Sequence, residues 1–254
     1  MNRLIVVSVS LLFGGLIATA VMAQDVSDLT NRLGEKSEIW ASYSSTGVQS
    51  ALKRSGGLGE DFAANSAFGA DASTFGFAER SPEARMFLAG TLYAEALAFT
   101  QDGQYEAATD RLLALQDIVN KAEAPVALRG YIQRTTEIIA QSRYDRRAMV
   151  EFLALLQPQL DGFAASNSSD MQILFQTGAW LVDLSVAATA GDYRYLAQKM
   201  RIAYTIEEME RMEAPKGVLD GLRTIEEIAG RDQVEKRDVE KIAREVKRIQ
   251  SLLG

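Results

Sequence analysis

The sequence predicts an all-α protein built of stacked antiparallel helix pairs behind a helical lead-in. Three observations carry that expectation. Only four prolines interrupt 254 residues, and Ala, Leu, Glu, Gln and Arg, the strong helix formers, are plentiful. Apolar residues recur three and four apart in runs broken by short Gly or Pro turns. One plan of helix, tight turn, tyrosine and helix occurs three times, around Gly103-Gln104-Tyr105, Ser142-Arg143-Tyr144 and Gly191-Asp192-Tyr193.

Composition narrows the chemistry. Apolar residues make up 47% of the chain, enough for a sizeable core. The formal charge of −7 argues against nucleic acid as a partner, since no basic patch of useful size offsets it. Cysteine and histidine are both absent. That removes disulfides, thiol nucleophiles, Cys or His metal sites and the usual base near neutral pH. No catalytic residue, metal or cofactor is expected.

Residues 1–23 have the pattern of a cleaved export signal: Arg3, the apolar run Leu4 to Phe13, and small residues at Ala18-Thr19-Ala20 and Val21-Met22-Ala23. Cleavage after Ala23 places the mature protein in the periplasm or outside the cell. If the signal stays uncleaved it is a membrane anchor, the one membrane association expected. Without cysteine after the signal, a lipid-anchored form is excluded.

Residues 24–54 are the lead-in, with Val26, Leu29 and Leu33 at helical spacing and a second run through Ile39, Trp40, Tyr43, Val48 and Leu52. Residues 55–80 lose that period. Glycines 56, 57, 59, 69 and 76 break it, yet Phe62, Phe68, Phe75 and Phe77 stand among them. Two readings are open: the phenylalanines pin the loop to the helical body, or the segment covers a groove.

The repeat domain spans 81–254. Ser81-Pro82-Glu83 is a helix start by cap, proline and dipole. The first helix runs through Phe87, Leu88, Leu92 and Phe99 to Asp102-Gly103. The second carries Ala108, Leu112, Leu115 and Val119, up to Ala124-Pro125. A third carries Leu128, Tyr131, Thr135 and Ile138. A fourth carries Ala148, Phe152 and Leu155, ending near Pro158. Residues 162–170 read as a polar loop, and Ser169 and Gln172 have capping-box spacing. A long apolar helix follows to the Gly191 turn, then an amphipathic one to Met212. After Ala214-Pro215, Val218, Leu222, Ile225 and Ala229 mark a helix. Val239, Ile242, Val246, Ile249 and Leu253 mark the last, with Glu240 and Arg244 spaced to pair. That final helix is either a solvated cap on the repeat or a short dimerising coiled coil.

The turns align with one another. Leu92, Tyr131 and Trp180 stand eleven residues before them, and Tyr105, Tyr144 and Tyr193 two after. On these residues the chain resembles the tetratricopeptide repeat, through Gly103-x-Tyr105-x-x-Ala108 and through Trp180 with Gly191-Asp192-Tyr193-x-x-Leu196. The turns lie 39 and 49 residues apart, against about 34 in the regular repeat. The resemblance implies a superhelix of helical hairpins that recognises a protein through its inner face.

Eight residues before the turns stand Glu95, Arg134 and Asp183. Stacked in register, they place an arginine between two carboxylates. That is a charge ladder for a partner, a set of solvated edge charges, or, in a third reading, an acid pair for hydrolysis. No nucleotide-binding loop, dinucleotide fingerprint or serine elbow occurs. The leading expectation is an exported, non-enzymatic scaffold or adaptor binding a protein partner in the cell envelope through Glu95, Arg134, Asp183 and the four phenylalanines. The alternatives are a periplasmic carrier of an apolar ligand with a phenylalanine-rich lid, and a carboxylate-dependent hydrolase of envelope glycans.

Overall fold

In a computed structural model the described residues are 56–58, 62 and 81–254, apart from Arg143, Asp192, Ala197, Asp232 and Gln233. The chain divides into units 1–41 and 42–254, and the described residues all belong to the second. Phe68, Phe75 and Phe77, the export signal and the lead-in helices lie outside them.

Every regular element among the described residues is a helix. They are α1 Pro82–Asp102, α2 Tyr105–Lys121, α3 Val126–Ala140, α4 Arg146–Ala154, α5 Gln157–Asn167, α6 Ser169–Thr189, α7 Tyr193–Leu196, α8 Lys199–Arg211, α9 Lys216–Ala229 and α10 Lys236–Leu253. Local chemistry sets their ends. The Ala84 amide donates to Ser81 Oγ over 3.1 Å, with Pro82 in the first turn. The Asp145 carboxylate caps α4 through the Ala148 amide, and Glu235 and Asp238 form a reciprocal box at the start of α10. The three aligned turns share a left-handed residue: Gly103 at φ 89°, Ser142 at 47° and Gly191 at 64°.

Two details depart from expectation. Residues 162–170 are not a polar loop, because α5 runs through most of them. Pro158 starts that helix instead of ending the previous one, since proline fits a first turn. The cap of α6 is Ser168, whose Oγ accepts from the Met171 amide, and Gln172 spends its amide on Asp161 of α5.

The core is organised around α1 and α6, which are apolar nearly all round and buried for most of their length. They cross at two glycines. A Cβ on Gly90 would lie 1.9 Å from the Phe175 carbonyl oxygen, and one on Gly178 would lie 2.2 Å from that of Phe87. The contact is reciprocal: Phe87 and Gly90 of one helix meet Phe175 and Gly178 of the other, each 88 residues further along. Such mutual exchange marks a two-fold relation. The correspondence continues at 88 residues through Glu95 and Asp183, and Gly103 and Gly191. It continues at 90 through Arg111 and Arg201, Glu123-Ala124-Pro125 and Glu213-Ala214-Pro215, and Asp145 and Glu235. Glu123 and Glu213 both sit at φ 54°. The extra two residues fall where the counterpart of α2 breaks into α7 and α8.

The described body is thus two halves, α1–α4 and α6–α10, joined by α5, with α7 and α8 together standing where α2 stands in the first. The first and third hairpins face each other directly. The middle one packs to the side through α2 and α1, so the three do not stack in chain order.

Candidate functional site

A cleft of about 340 Å³ opens between α1, α6 and α10. Its wall is Glu95 from α1, Val182, Ser185 and Thr189 from α6, and Glu240, Ala243, Arg244, Lys247 and Gln250 from α10. Phe62 closes one side. Because Glu95 shares this space with Ser185 and Thr189, α1 and α6 leave their crossing in the same direction.

The floor is rigid. Glu95 is 1% exposed and accepts from Arg111 Nε over 2.7 Å. The Arg111 guanidinium sits 5.3 Å from the centre of the Phe99 ring, and Phe62 meets the same ring edge-on at 5.5 Å. Four residues before it, Leu58 is also fully buried, beside Gly57 against Asp102. At Phe62, therefore, the phenylalanine loop is pinned to the body and stands in a groove at once. Phe62 and Glu95 are the two expected site residues that the fold brings together.

The rest of the expected constellation is not assembled. Arg134 is exposed on α3, and the ladder of Glu95, Arg134 and Asp183 does not form. In-register stacking was its premise, whereas α1 and α6 touch with nothing between them. Asp183 is not among the cleft residues. It accepts from the Tyr195 hydroxyl at 3.1 Å, and Arg201 donates to that hydroxyl at 3.3 Å. Burial, the largest influence, pushes the Asp183 carboxyl up to about 7 despite Tyr195 and Arg201. The two acids do not share a site, so they form no carboxylate pair. Among the described residues no group of three or more metal-ligating side chains occurs.

Glu240 and Arg244 are not paired either. Both point their charge at the cleft, with no ion pair or hydrogen bond to a described residue or any other. Ser185 Oγ and the Gln250 amide are likewise uncommitted within the protein. The rim thus carries charge of both signs, from Glu240 and from Arg244, with Lys247 beside them. Meanwhile Ile242, Val246 and Ile249 on the opposite side of α10 are fully buried against α9 and α6. The apolar stripe of this helix is spent inside the chain, as a cap would spend it.

By the 90-residue correspondence, Glu240 and Ala243 of α10 match Val150 and Leu153 of α4. Val150 and Leu153 are buried, whereas Glu240 and Ala243 are exposed. Sequence reading singled out neither α10 as a wall nor Arg244 as uncommitted. The available signal was the repeated Glu-Ala-Pro, which sets the register for this comparison.

No family model matches the chain, and neither a curated protein nor a solved structure matches it.

Proposed function

We propose that the protein is an exported, non-enzymatic adaptor that holds an extended segment of a partner protein in the cleft between α1, α6 and α10. One observation carries this reading: an open cleft is rimmed by Glu240 and Arg244, whose charges no ion pair within the chain takes up. Its chemistry favours a peptide. Ser185 and Gln250 offer a donor and acceptor for a main chain, Arg244 and Glu240 offer both charges, and Phe62, Val182 and Ala243 supply an apolar floor. A lipid tail would leave those polar groups dry and unpartnered, at a cost of about 1–3 kcal/mol each. Hydrolysis by Glu95 with Glu240, the other acid of the cleft, would need Glu95 at liberty, and Glu95 is buried and held by Arg111.

The test is a photo-reactive amino acid at Ala243 in the full-length protein, expressed in its own cells. We expect one dominant protein adduct, mapped to a contiguous peptide, that is absent when the probe stands at Glu227 on the outer side of α9. Equal labelling at both positions would refute the reading. Native mass spectrometry separates the carrier alternative, since a co-purified lipid would favour it over the adaptor.

A further inference from the structure

The cleft is a wedge, shut at one end. Gly254, just past the end of α10, lies against the buried side chain of Leu88 in the first half of α1, so close that a Cβ on it would come within 2.7 Å of that side chain. From this junction the walls open in one direction. On α10, Gln250 is buried while Arg244 and Glu240 are exposed. On α6, Val182 is buried, Ser185 half-buried and Thr189 exposed. The mouth is therefore at Glu240 and Thr189, and the blind end is at Gln250. These two residues of α10 are separated by about 15 Å of helix, the length of roughly four or five residues of extended chain. A segment entering at the mouth has to end or turn back near Gln250.

The uncommitted charges have an order along the wedge. Glu240 stands at the mouth and Arg244 one turn deeper, and neither has an ion pair or hydrogen bond within the chain. One turn of helix sets their Cα atoms about 6 Å apart along α10. In an extended chain, residues two apart point to the same side and are separated by about 6.6 Å. The two spacings agree. Adjacent residues of such a chain point to opposite sides, and residues four apart are separated by about 13 Å, so neither arrangement meets both wall charges.

We propose that the partner segment in the cleft carries a basic and an acidic residue two positions apart, the basic one outermost against Glu240 and the acidic one inward against Arg244. The inference rests on the peptide reading above and adds to it the charge, spacing and depth of the segment. A segment with one sign of charge gains one wall contact and is repelled by the other, whereas a pair of opposite signs meets both favourably. Because Glu240 and Arg244 are exposed, each contact by itself is weak and is screened by salt. Discrimination comes from the two acting together at a fixed spacing.

Fluorescent pentapeptide pools, capped at both ends and titrated with the intact protein at low salt, measure this by anisotropy. Two pools carry Lys-X-Asp and Asp-X-Lys at the centre, X being a mixture of uncharged residues, so that both chain directions are covered. The comparison pools carry Lys-X-Lys, Asp-X-Asp, Gln-X-Asn and the adjacent pair Lys-Asp. One of the first two should bind about fivefold to tenfold tighter than every comparison pool, and 1 M salt should abolish the advantage. The double reversal Glu240→Lys with Arg244→Glu should hand the advantage to the opposite order, which a purely structural role for these residues would not do. Should that variant fold poorly, the wild-type ranking and its salt dependence decide. Equal binding of charged and neutral pools, or of adjacent and spaced pairs, overturns the inference and leaves the adaptor reading in place. So does the absence of binding by every pool while the photo-adduct at Ala243 still forms. Loss of that adduct as well removes the adaptor reading itself, and this inference with it.

Discussion

Glu95 and Arg111 are the charges most deeply placed in the described body, and their fate under substitution separates two physical effects. The pair loses hydration on both sides, and its attraction offsets that loss only while both members remain. Glu95→Gln therefore takes the carboxylate away from a buried guanidinium beside Phe99. We expect a loss of about 3–5 kcal/mol, the usual cost of breaking such a pair. Replacing both by apolar residues of similar volume, Glu95→Leu with Arg111→Met, should cost far less, since no charge is left uncompensated. Chemical denaturation of the two proteins measures the difference. If both lose equally, the pair stabilises through packing and not through charge. At this scale the sequence was partly legible. Glu95 and Asp183 stand out as acids inside apolar helices, but their partners come from the following helix, and no spacing within one helix announces Arg111 or Arg201.

The two long helices show why close approach is a property of an element and not of a residue alone. Their crossing leaves no room for a methyl group at Gly90 or Gly178, and the obstacle in each case is a backbone carbonyl that cannot rotate away. Glycine inside a helix otherwise costs about 1 kcal/mol against alanine, so its retention at both positions reflects the contact. Gly90→Ala should force α1 off α6. Overpacking of this kind costs typically 1–3 kcal/mol, and a rigid obstacle places it at the upper end. For a body of this size that lowers the melting temperature by about 6–12 °C. Gly130→Ala, where a Cβ meets nothing within 4 Å, should instead leave it level or raise it. Equal melting of the two variants would mean that the helices can part at no cost. Helix existence was legible from the apolar period, and the turns at Gly103, Ser142 and Gly191 were found from their own residues. Helix α5 was not, because Pro158 reads as a stop or a start with equal ease and only the neighbours decide.

At the scale of the molecule, the relation between the halves accounts for the order of packing. Hairpins that repeat by translation present an open face at each end, whereas two halves related by a two-fold bury their matching faces against each other. The middle hairpin of the aligned turns then falls outside the central contact, which is why a ladder drawn along the chain had no counterpart in space. The relation was present in the sequence as Glu123-Ala124-Pro125 and Glu213-Ala214-Pro215. A search at the hairpin period of about 34 residues passes over a repeat 90 residues long. Once the halves are matched, they prescribe how to close the cleft without inventing a core. The double substitution Glu240→Val and Ala243→Leu writes the residues of α4 into α10. The added groups enter existing space, so stability should change by less than about 1.5 kcal/mol in either direction, as swaps that respect volume do. Partner binding should fall at least tenfold, because the peptide loses both the space and the Glu240 contact. The adduct formed by a photo-reactive residue at Arg244 gives the readout, with the melting curve as the control for folding. A stable, fully binding double variant would place the partner surface elsewhere on the body. A variant that unfolds would show that the two halves, though alike in backbone, no longer accept each other's side chains.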